Sequence, residues 1–147
     1  MRRDVLIFVV AALAAVASQS IAHEHATGVV KERMDVMTEM ARHQKAISQH
    51  LKNKNDLGAI KADAEAIAES APHVPHLFPK GSTQAPTQAR PAIWQSWPDF
   101  ETKSKALEAA ARALAQTDPA DGQAMAAASA AVTRACGACH EKYRTRK

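Results

Sequence analysis

Two cysteines in the chain, Cys136 and Cys139, stand three residues apart near the C-terminus, and His140 follows the second at once. Residues three and four apart share one face of an α-helix, so on a helix both thiols and the imidazole point toward the same region of space. A disulfide between Cys136 and Cys139 would close so small a loop that it would contribute little stability. A zinc site needs further ligands, and no second cysteine pair exists. A thioredoxin-like redox pair needs a βαβ pattern, which the surrounding sequence lacks. A chance pentapeptide on a structural helix is the plainest alternative.

Two thiols and a histidine so arranged suit a flat macrocycle. The thiols can add across the two vinyl groups of haem as thioethers, while the adjoining imidazole reaches the iron, and Cys-x-x-Cys-His is read as a c-type haem attachment site. Cys136, Cys139 and His140 are therefore the expected binders of one covalently attached haem c, with His140 as an iron ligand.

The elements that must carry this motif are helical. Apolar residues make up 46% of the 147 positions but aromatic ones only 4%, and much of the apolar content is alanine, which favours closely approaching helices over a sheet. A chain of this length forms one domain. A first helix is expected over Thr27 to Leu51, with Val30, Met34, Met37, Ala41, Ile47 and Leu51 at three- and four-residue intervals and Gln44 interrupting the stripe. A second begins near an Asn55-Asp56 N-cap, carries Leu57, Ile60, Ala64, Ile67 and Ala71 on one face, and stops at Pro72.

Between Pro72 and Pro91 five prolines with Gly81, Ser82 and Thr83 predict a long connection with no helix. A third helix is expected from Ser96, where Ser96 and Asp99 resemble a capping box and Pro98 sits in the first turn, to about Thr117. Asp118-Pro119 reads as the start of a fourth, running through Met125, Val132, Cys136 and Cys139 to about Tyr143. Short links within each helix pair and a long crossover between pairs predict an all-α, antiparallel four-helix bundle with the haem near its C-terminal helix.

The N-terminus reads as a secretory signal over residues 1–22: Arg2 and Arg3, an apolar stretch from Val5 to Ala17, then small residues at Ser20 and Ala22. The stretch is shorter than the ~20 residues a spanning helix needs, so cleavage and a periplasmic mature chain over residues 23–147 are expected, with no stable membrane insertion afterwards. Two of the 19 basic residues and one of the 15 acidic leave with it, so the formal charge falls from +4 to +3. The remaining cations are spread over helical faces without aromatic interleaving, which argues against nucleic acid. Lys142, Arg144, Arg146 and Lys147 form a basic end that complements the helix dipole and could dock an acidic partner. Cleavage would leave His23-Glu24-His25 in front, where an amine, two amides and an imidazole can hold Cu(II).

The run Cys136-Gly137-Ala138-Cys139-His140-Glu141-Lys142-Tyr143-Arg144 resembles the end of the class II cytochromes c, which comprise cytochrome c′ and its low-spin relatives. The similarity extends over Val30-Lys31-Glu32-Arg33 with Met37, His76-Leu77-Phe78-Pro79, and Pro91-Ala92-Ile93-Trp94. The resemblance implies Arg33 beside a haem propionate, Met37 over the second face of the iron, and a homodimer through the first two helices. Arg33 also falls on the inward stripe, where a cation needs an anionic partner. Met34 and Met40 are substitutes for Met37, and the three together can equally be core filler.

With His140 and Met37 both on the iron, the chain would be an electron carrier serving redox partner proteins, since His plus Met ligation raises the reduction potential. Without methionine the iron would be five-coordinate and open to gases such as nitric oxide, with Arg144 beside the proximal ligand. Neither reading is enzymatic, and no Ser/His/Asp set is evident. His43, His50, His73 and His76 read as surface or loop histidines, and Trp94 and Trp97 as a lid over one end of the bundle.

Overall fold

The structure is a computed structural model and describes residues 26–145; the expected signal segment 1–22 lies outside them. Four long helices form the bundle. Helix α1 spans Gly28–Asn53, α2 Ala59–Ser70, α4 Trp97–Ala115 and α5 Gly122–Tyr143, while a one-turn α3, Ala92–Gln95, precedes α4. Helix α1 packs on α2 and α5, and α4 packs on the same two, as an antiparallel four-helix bundle requires.

The core follows the apolar stripes. Ile47 of α1, Ile60 and Ile67 of α2, Phe100 and Leu114 of α4, and Met125 and Val132 of α5 are all essentially inaccessible to solvent. Ala64 and Ala111 are also fully enclosed, and their short side chains let the helices approach closely. At the end of the bundle that holds the α5 C-terminus, Phe100 meets Phe78 edge to face with the ring centroids 4.9 Å apart. Tyr143 meets Phe100 in the same manner at 5.3 Å. Trp97 tilts against Phe100 at 5.5 Å, so the four rings form one aromatic cluster. The indole of Trp94 donates to the Phe78 carbonyl at 3.0 Å. The tryptophans therefore close this end, as their position flanking the start of the third long helix suggested.

Three boundaries differ from the sequence expectation. Helix α2 begins at Ala59 instead of being capped by Asn55 or Asp56, because Asp56 is in the left-handed region (φ 43°) and its carbonyl accepts the Ala59 amide in a turn. Pro72 does not end the helical path: Ala71–Leu77 continues it as a 3₁₀ helix. Proline lacks an amide to donate, and at the first turn of a new helical segment none is needed. Helix α5 is capped by Asp121, whose carboxylate accepts the Ala124 amide at 2.9 Å, and Asp118 serves the preceding turn by accepting the Ala120 amide. Ser96 does precede α4, but it makes no side-chain cap bond, and Asp99 faces α5 instead of completing a box.

Candidate haem site

Helices α1, α4 and α5 and the 3₁₀ segment enclose a cavity of about 330 Å³ whose wall contains Cys136, Cys139 and His140 from α5 and Met37, Met40 and Gln44 from α1. The antiparallel pairing sets the register. Gln44 donates to the Thr133 hydroxyl at 2.8 Å. Seven residues, two helical turns, along each helix in opposite directions bring Met37 to the level of His140. Phe100 and Leu107 of α4 and Ile67 and Val74 beyond it supply the remaining apolar surface.

Burial governs the protonation of the motif. Desolvation pushes the Cys139 thiol up to about 11 and raises Cys136 as well, so both sulfurs are neutral in this wall. A thioether is neutral at any pH, so converting these thiols to thioethers buries no charge. The His140 imidazole is pushed below its ordinary value by burial, with the Arg144 charge adding to the effect, and so presents a lone pair.

The residues suit a haem. The cavity offers broad apolar walls and two thiols and an imidazole on one side. Two cations, Lys45 and Lys103, also line it and can meet carboxylates. The Gln44 carbonyl oxygen is buried without a donor, the kind of unsatisfied acceptor that a group or water seated in the cavity would relieve. Lys45 and Lys103 were the residues that sequence reasoning passed over, and Gln44 was read only as an interruption of the first stripe. Lys103 shares a face with Phe100, Ser104 and Leu107, and that stripe was the available signal.

Of the six residues expected at the site, the structure brings four into the cavity wall: Cys136, Cys139, His140 and Met37. Met40 joins them, whereas Met34 does not line the cavity. Arg33 is buried, 5% exposed, outside the wall. Its guanidinium stacks on the Phe78 ring, 4.0 Å from the centroid. It donates to the Leu77 carbonyl at 2.9 and 3.0 Å, to the Ser82 hydroxyl at 2.6 Å and to the Thr87 hydroxyl at 2.7 Å. Burial holds it below the usual arginine range. Arg144 is exposed and donates to the Gln88 side chain at 2.7 Å.

Beside the motif, Asp99 accepts from the Tyr143 hydroxyl at 2.5 Å and from Lys142 at 3.0 Å, and these two bonds hold its carboxyl below the usual carboxylate range. A depressed folded-state value means the contribution is present at neutral pH and is lost as the pH falls through that range. The melting-temperature gap between the wild type and Asp99→Asn is therefore expected to be open at pH 7 and to close on acidification; a gap independent of pH would refute the link.

A sequence profile described as Cytochrome C′ matches residues 28–144. Cytochrome c-556 of Agrobacterium tumefaciens (strain II Chrys) is 34% identical over 122 residues, covering 82% of this chain and 99% of that protein. The structure of cytochrome c′ from Rhodopseudomonas palustris superposes with a TM-score of 0.76 at 30% identity, covering 83% of this chain and 99% of that one. A nitric oxide complex of a cytochrome c prime variant from Alcaligenes xylosoxidans superposes with a TM-score of 0.70 at 29% identity, covering 80% of this chain and 94% of that one. Bundle, cavity and motif together define a class II cytochrome c, whose cofactor is covalently attached haem c. Within that class the chain belongs to the cytochrome c′ family.

Proposed function

We propose that this chain is an exported, periplasmic haem protein in which Cys136 and Cys139 hold the group, His140 binds its iron, and the opposite face is open to small gases. The observation that carries this reading is the shared cavity: the thiols and the imidazole face a wall built mainly from Met37, Met40, Phe100 and Leu107. Such a wall admits a small uncharged molecule. The likeness to a nitric oxide complex supports the same reading over that of a dedicated electron carrier. When bound, haem c supplies an iron that exchanges single electrons and binds diatomic gases.

The chain's own part is to position and exclude. Helix α5 sets Cys136, Cys139 and His140 within one turn, and α4 and the 3₁₀ segment keep bulk water from the apolar side. Lys45 and Lys103 offer charge to the carboxylates of the group.

A second reading is favoured by one particular contact surface: Met37 lines the same cavity as His140, so its thioether can take the sixth position and make the protein an electron carrier with redox partner proteins. Absorption spectra of the ferric, ferrous and carbon monoxide-treated ferrous protein, beside those of Met37→Ala, decide between them. Rapid carbon monoxide binding and a high-spin ferric spectrum in the wild type are expected. A low-spin wild type inert to carbon monoxide, turned high-spin by Met37→Ala, would overturn the open-face reading in favour of the second.

A further inference from the structure

The 3₁₀ segment Ala71–Leu77 carries more than a connection. Its residues Ala71, Val74 and Leu77 are buried at intervals of three, and Pro72 and Pro75 fix the backbone between them. In a 3₁₀ helix side chains three apart eclipse one another. The outward counterpart of the buried row is His73 and His76, both exposed. Their rings lie 6.5 Å apart, centroid to centroid, tilted by 44°. His43, by contrast, is engaged by Asp63 at 2.7 Å, and His50 by the Asn55 carbonyl at 3.2 Å.

We propose that His73 and His76 form a surface site for a borderline divalent transition-metal ion, Zn(II) or Cu(II), independent of the haem. Metal–imidazole bonds of about 2.0–2.1 Å place the centroids of two rings sharing one ion roughly 4.5 to 5.3 Å apart at the angles of square-planar or tetrahedral coordination, so side-chain rotation has to bring the two rings together by about 1–2 Å. The prolines reduce the freedom that must be lost, because the backbone bearing both ligands is already set. Among the described residues no group of three or more His, Cys, Asp or Glu converges on an ion, so water completes the coordination shell. Imidazole pairs suit Zn(II) and Cu(II) over Mg(II) or Ca(II), which prefer oxygen. Val74, between the two histidines, lines the haem cavity, so the ion sits on the outer face of the turn whose inner face closes that cavity.

Zn(II) titration of the haem-loaded mature protein by calorimetry tests the site, with His73→Ala, His76→Ala and, as a control for the N-terminal histidines, His25→Ala. One ion per chain is expected, weakened about tenfold or more by either His73→Ala or His76→Ala and unaffected by His25→Ala. Cu(II) bound to His25→Ala protein should show two imidazole nitrogens by electron paramagnetic resonance, and one when either residue is replaced. Unchanged Zn(II) affinity in both variants, a loss confined to one of them, or a loss in His25→Ala would each overturn the proposal. Matching circular dichroism and melting curves establish that the variants fold.

Discussion

Replacing Cys136 and Cys139 together by alanine, in a host competent for cytochrome maturation, is expected to abolish covalent haem. The wild type should keep a haem-staining band on a denaturing gel and carry the added mass of one haem, whereas the variant should show neither. The geometry behind this is the single helical turn in which both sulfurs reach the cavity that His140 also lines. The fold should survive, because both positions are only partly buried and the core of Ile47, Ile60, Phe100 and Val132 is untouched. A haem-staining band of full intensity in the double variant would reject attachment at these residues.

Arg33→Ala should be the most destabilising single substitution outside the apolar core. It leaves the Leu77 carbonyl and the Ser82 and Thr87 hydroxyls without their charged donor, in a region where the arginine itself is 5% exposed. Unsatisfied buried groups cost about 1–3 kcal/mol each, partly relieved by water, so a net loss of about 3 kcal/mol is expected. For a domain of this size that lowers the melting temperature by roughly 10 °C. Arg33→Lys keeps the charge but not the planar fork and should recover less than half of the loss. Thermal unfolding followed by circular dichroism measures both; a change below about 0.5 kcal/mol, the level of an ordinary surface substitution, would refute the clamp.

Arg33 also shows where reading the sequence stops. Its place on the inward stripe was legible, as was the need of a buried cation for partners. The partners were not, because they are crossover groups 44 to 54 residues away and nothing local encodes contact at that separation. In this structure every one of its donor nitrogens is engaged by the crossover. The stripes of α2 and α5 were readable because one buried face must repeat at helical spacing, and Ile60, Ala64 and Ile67 bear this out. The motif was readable because its chemistry is confined to one turn. The start of α2 and the 3₁₀ continuation were not, since Asp56 adopts a left-handed conformation and proline reads as a stop even where a new helical segment can begin with it.

The crossover touches more than Arg33. Its Arg90 amide donates to the Tyr143 carbonyl, Thr145 returns a bond to Gln88, and Ala89 pairs with Arg144 in an antiparallel bridge. One stretch of connecting chain is thus hooked at one side to α1 and at the other to the tail of α5. Those two helices carry Met37 and His140, so the two sides of the cavity are tied together by a hoop as well as by packing. Fraying at the C-terminus then has to unhook the hoop first, and the amides of Arg90 and Thr145 should exchange with deuterium together, as one opening unit.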